Sequence, residues 1–151
     1  MAEEVLVGQI LTTEMIKVGE ELLKEVQKSD LDVTAAFWLY FAESGEWRLV
    51  LVSPRVDTDG PKKLYSRLSK LLYSDGLKVY GLDSLNITFV SPNDRLVRAI
   101  ANTGRLADLS GKRLSGANFS GEFVDDIYIY FIGDPAEPSD DKAWYVGNNP
   151  L

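Results

Sequence analysis

Apolar residues fall along this chain in two spacings, and the switches between them mark its elements. From Thr12 or Thr13 to about Lys28, Met15, Ile16, Gly19, Leu22, Leu23 and Val26 recur at threes and fours, the stripe of a half-buried helix. Thr34 to Ala42, TAAFWLYFA, and Trp47 to Ser53, WRLVLVS, are instead apolar and aromatic at nearly every position, with Glu43–Glu46 as a turn between them. That reads as a β-hairpin. Strands apolar on both sides are covered on both faces, so helices are expected on at least part of each side of the sheet.

The helical spacing returns after Gly60-Pro61, where Leu64, Leu68, Leu71 and Leu72 form a stripe that ends near Ser74, before Asp75-Gly76. Proline suits a first helical position because its missing N–H has no partner there. Asn86–Ser91, NITFVS, reads as a strand. Ser91-Pro92-Asn93-Asp94 has the form of a capping box, with Asp in the place of Glu or Gln. The helix it opens runs to about Asn102, with Leu96, Val97 and Ile100 inward and Gly104 at its C-terminal end. Asp126–Ile132, DIYIYFI, reads as a last strand, and residues 4–10 as a short first one. The acidic, Pro-rich tail 133–151 reads as loosely ordered, with Trp144–Val146 able to dock as an edge strand.

Ala107–Gly121 repeats a five-residue unit, ADLSG-KRLSG-ANFSG, which resembles the pentapeptide-repeat pattern with Leu109, Leu114 and Phe119 as the inward residues. Three copies make less than one coil, and such solenoids bury a core only by stacking several. The segment is therefore read as a Gly/Ser-rich loop. The whole predicts one α/β or α+β domain over residues 1–132: a mixed sheet of four to six strands around the central hairpin, with three covering helices.

Composition removes several chemistries. The 151 residues include no Cys and no His. Thiolate sites, disulfides and histidine-based acid–base catalysis are excluded, and no catalytic motif stands out, so the balance leans away from an enzyme. The acidic N-terminus lacks the pattern of a secretory signal, and no apolar run approaches the ~18 residues of a membrane span. The expectation is a soluble cytoplasmic protein. Charge is uneven. Residues 1–60 carry −7, residues 61–113 carry +6 and residues 114–151 carry −6. Lys63, Arg67, Lys70 and Arg98 in the basic middle could form one face for an anion such as nucleic acid. Against this, basic helices packed beside acidic segments of the same chain would have the same composition, and a net charge of −7 repels polyanions.

Two stretches echo each other. RLVLVSPRVDTDGP and NITFVSPNDRLVRA both run strand, Val-Ser-Pro, polar residues, helix. Parallel strands would bring both corners to one sheet edge, where open α/β sheets hold ligands. Ser53, Arg55, Asp57 and Asp59 would then face Ser91, Asn93 and Arg95. Arg55 and Arg95 could neutralise a phosphate or nucleotide, and Asp57 or Asp59 could hold a hydrated magnesium ion. An EF-hand is excluded, because its frame puts Arg55 at the first ligand position and Ser66 at the twelfth. Ser, Pro, Asp and Gly are also what any strand-to-helix connection uses. The leading expectation is a small acidic accessory protein that binds another protein, as a regulator or immunity-type inhibitor. A phosphate-ligand binder at the corners and a nucleic-acid-associated protein are the alternatives. Self-association is compatible with each.

Overall fold

A computed structural model describes residues 10–74, 86–103 and 106–132. The expectations for residues 4–9, Gly104 and the tail from 133 lie outside these. The elements are α1 (Thr13–Gln27), β1 (Ala35–Phe41), β2 (Glu46–Val52), a single helical turn α2 (Arg55–Thr58), α3 (Pro61–Ser74), β3 (Ile87–Val90), α4 (Arg95–Ala101), a short α5 (Leu106–Leu109), β4 (Arg113–Phe119) and β5 (Glu122–Ile132). The strands form one mixed sheet in the order β3-β2-β1-β5-β4, in which only β2 and β3 run parallel. The class is α+β, with the β1–β2 hairpin at the centre and three helices of seven or more residues around it.

Both faces of the hairpin are used. Ala36, Trp38, Leu49 and Leu51 pack under α1 and α3, which contribute Leu22, Leu23, Val26, Leu64 and Leu68. Phe37, Val50 and Val52 pack on the opposite face with Val97 and Ile100 of α4 and Ile127 and Ile129 of β5. The alternation of Cβ atoms along each strand makes this split. Thr12 caps α1, its hydroxyl accepting from the Met15 N–H at 3.0 Å.

A β-bulge joins sheet and helix. Ala36 pairs with Phe131 and Phe37 with Ile129, so Tyr130 is an extra residue on β5. The bulge sends both Tyr130 and Phe131 toward the α1 side. The Tyr130 hydroxyl donates to the Ile16 carbonyl at 2.6 Å and accepts from Trp38 Nε1 at 2.9 Å. Burial pushes the Tyr130 phenol well above its ordinary value of 10.0, so it stays a neutral donor.

Two sequence expectations need correction. Residues 107–121 hold not a loop but the end of α5, strand β4 and the Ser120-Gly121 turn into β5, which is longer than expected. Within this hairpin Leu114 and Ile127 face the core, and so do Ala117 and Val124, although neither strand has the even spacing that would put both on one side. Gly116, at φ +61, lies between them and flips the inward set. The capping box does not form either. Asp94 is the N-cap of α4, its Oδ2 accepting from the Leu96 and Val97 N–H groups at 3.0 and 3.2 Å. The helix thus begins at Arg95, because a turn closed by the Asn93 N–H on Ser91 Oγ precedes it. Asp94→Ala is expected to cost about 1 kcal/mol, read as a lower melting temperature, since two helical N–H groups lose their acceptor. Helices lie on both faces, as expected, and the second face is covered only in part. α4 has seven residues, a length of about 10 Å, whereas five strands span roughly 19 Å.

Candidate functional site

The two Val-Ser-Pro corners meet. β2 and β3 are parallel neighbours with Val52 opposite Val90, so Ser53 and Ser91 leave the sheet side by side. The Ser53 N–H donates to the Val90 carbonyl at 3.0 Å. What the structure assembles there is a network of internal bonds. Ser53 is fully buried, its hydroxyl donating to the Leu31 carbonyl at 2.7 Å and accepting from the Arg55 N–H at 3.0 Å. Asp57 Oδ2 accepts from the Ser91 hydroxyl at 2.9 Å and from Asn93 Nδ2 at 3.3 Å. Arg55 Nε donates to Asp32 Oδ2 at 2.9 Å, and its Nη1 lies 3.4 Å from Asp59 Oδ2. Arg67 Nη1 reaches the same oxygen at 3.0 Å as an ion pair.

The charges follow these contacts. The Asp32 carboxylate, more than Asp59, raises the Arg55 guanidinium above its already high ordinary value. For Asp59, partial desolvation raises the carboxyl, but the Thr58 hydroxyl and the Arg67 and Arg55 guanidinium groups outweigh it and hold it below its ordinary 3.8. A carboxyl depressed in the folded state contributes stability that is present above its unfolded pKa and is lost as pH falls through the folded one. Loosening of the corner is therefore expected only below about pH 4. Protection of the Arg55 Nε proton against solvent exchange, taken relative to the intrinsic rate at each pH, would report it, falling in acid and staying flat from pH 5 upward.

Of the sequence candidates, Ser53, Arg55, Asp57, Asp59, Ser91 and Asn93 are brought together. Arg95 is not, since its Nε lies 3.8 Å from Glu122 Oε2 at the β4–β5 turn. Asp57 and Asp59 are turned to different partners, and among the described residues no cluster of three acidic groups is placed to hold a metal ion. Lys63, Arg67 and Lys70 ride on α3 and Arg98 on α4, which cover opposite faces of the sheet. The basic middle of the chain is partly matched by its acidic flanks: Arg67 with Asp59, Arg95 with Glu122, and Arg113 with Asp126 at 2.9 Å.

A second place was not among the sequence candidates. Beyond the reach of α4, the second face of the sheet is an apolar trough of about 300 Å³. β1 supplies Phe37, Leu39 and Phe41 to its floor, β2 supplies Arg48 and Val50, and β3 supplies Thr88 and Val90. Asp94 and Leu96 of α4 form one wall. Leu39, Phe41, Val90 and Leu96 are only half-buried. The Arg48 guanidinium stacks over the Phe41 ring, 4.5 Å from its centre, and is held by Glu46 Oε2 at 3.0 Å. Its charge is thereby paired and stacked, although the side chain is part of the lining. Arg48 and Thr88 were the available signal: they are the polar interruptions of β2 and β3, and they fall on one face.

No protein-family model, curated protein or solved structure matches this chain. Among the described residues no helix is long and apolar enough to cross a membrane.

Proposed function

We propose that the protein is an accessory binding module that receives apolar side chains of a protein partner in the trough over β1, β2 and β3. The observation that carries this is a concave apolar sheet face left half-exposed in a fold that holds Trp38, Leu49 and Leu51, on the other side of the same strands, at 0% exposure. Such patches on small domains mark interaction sites. The floor offers no nucleophile and no acid–base pair, and the reading needs none. The corner network supports the trough by fixing the ends of β2 and β3, a structural use of the residues that a phosphate ligand would otherwise claim. The basic side chains of α3 and α4 stand on opposite faces, which favours a protein partner over a nucleic acid.

The test is a photo-cross-linking side chain at Leu39, compared with one at Lys17 on α1, in the source cells. A partner captured only from Leu39 is then purified. It is expected to bind wild type and to lose affinity at least ~10-fold against Leu39→Asp, because a buried unpaired carboxylate costs more than 1.4 kcal/mol. Lys17→Asp should bind as wild type does. Equal binding to both variants, or equal capture from both positions, would remove the proposal.

A further inference from the structure

Among the described residues β3 is an edge strand, and what sits on its outer edge is a side chain. The Leu49 N–H bonds the Asn86 carbonyl at 2.7 Å and the Ser53 N–H bonds that of Val90 at 3.0 Å, so the even residues of β3 turn their backbone toward β2. Ile87 and Phe89 therefore turn theirs outward, where a sixth strand would lie. The Tyr65 hydroxyl, from α3, occupies that place. It donates to the Ile87 carbonyl at 3.2 Å and accepts from the Phe89 N–H at 3.1 Å, while its ring meets Phe89 edge-on at 5.1 Å. One hydroxyl thus supplies the donor and the acceptor that a neighbouring strand would supply. Tyr65 itself is 38% exposed and, apart from its contact with Phe89, stands outside the core cluster.

We propose that the outer edge of β3 is a strand-pairing surface for a second copy of this chain, and that the Tyr65 hydroxyl is the stopper that keeps it closed. The edge is self-complementary. A two-fold axis through Thr88 sets Ile87 of one copy against Phe89 of the other, and two such antiparallel pairs exchange four N–H···O=C bonds. The cross-strand neighbours are then Ile87 and Phe89, apolar on both sides. Among the described residues nothing else guards this edge: Ile87, Thr88, Phe89 and Val90 carry no charge and no proline. The opposite edge, β4, is protected differently, by Arg113 at its start and the Gly116 kink. The pairing stands independently of the trough, although it would set the two troughs on either side of one dimer axis.

The test uses sedimentation velocity over a concentration series on wild type, Tyr65→Phe and Tyr65→Ser. Tyr65→Phe keeps the ring against Phe89 and removes only the hydroxyl. It is expected to strengthen self-association at least ~10-fold, with Tyr65→Ser stronger still. The register is read by adding Thr88→Cys, which brings no competing thiol because the chain has no cysteine. The two-fold places the two Thr88 Cα atoms about 4.5 Å apart, as directly opposed non-bonded residues, within disulfide reach. Rapid oxidation to a disulfide dimer in the Tyr65→Ser background, and slow oxidation with Tyr65 intact, is the expected result. Variants that stay folded and monomeric, or that associate without cross-linking at position 88, overturn the proposal.

Discussion

Gly19→Ala is expected to lower stability by about 2–3 kcal/mol, although the same change on an exposed helix surface would raise it by about 1 kcal/mol. A methyl group at Gly19 would be driven into the Tyr130 hydroxyl, with the Tyr130 ring at 3.2 Å and Trp38 Nε1 at 3.3 Å behind it. None of these neighbours is free to give way. Trp38 is 0% exposed, and the hydroxyl is fixed by the Ile16 carbonyl and Trp38 Nε1. Overpacking of a rigid core costs about 1–3 kcal/mol, and a strained or broken buried hydrogen bond adds about 1–3 kcal/mol. Denaturant unfolding should show a lower midpoint with an unchanged slope. Adding Tyr130→Phe, which removes the offending oxygen, should give back part of the loss, because the two positions are in contact and not independent.

Ser53→Ala is the second large effect, at about 2 kcal/mol. The hydroxyl ties the Leu31 carbonyl to the Arg55 N–H across the start of the corner, and the bond to the carbonyl lies out of water. Alanine leaves the carbonyl without that donor, which costs more than a surface hydrogen bond because no water replaces it. The loss should be local in its kinetics. Amide exchange at Arg55 and at Leu31 should accelerate before that of Leu49 in the same sheet, since the corner then opens below the global unfolding free energy.

Much of the architecture was legible in the chain. The stripe from Met15 to Val26 and the leucines from Leu64 to Leu72 specify their helices because a 3.6-residue period has one buried solution. The hairpin was legible because nothing but a two-sided sheet accommodates AAFWLYF and EWRLVLV. Strand–helix–strand order favoured parallel strands, but that β2 and β3 are neighbours, which makes the two Val-Ser-Pro corners meet, is set by the tertiary fold. What those corners do with their polar atoms was not legible either, because the partners Asp32, Leu31 and Arg67 are set by tertiary placement. β4 was hidden by its composition. RLSGANF has no sustained alternation, and its inward set changes sides at Gly116, a break that cancels the period-2 signal. The trough was hidden for the opposite reason. Leu39, Phe41 and Val90 read as core, and no local pattern in the sequence says that a covering helix stops two turns in.

Whether that face is open can be measured directly on the protein alone. In a methyl-labelled sample, a soluble paramagnetic probe should broaden the methyl signals of Leu39, Val90 and Leu96, while those of Leu49 and Leu51, on the far side of the same sheet and 0% exposed, stay sharp. Leu39 methyls as well protected as those of Leu49 would mean that the trough is covered, and the protein would then have no such surface to offer a partner.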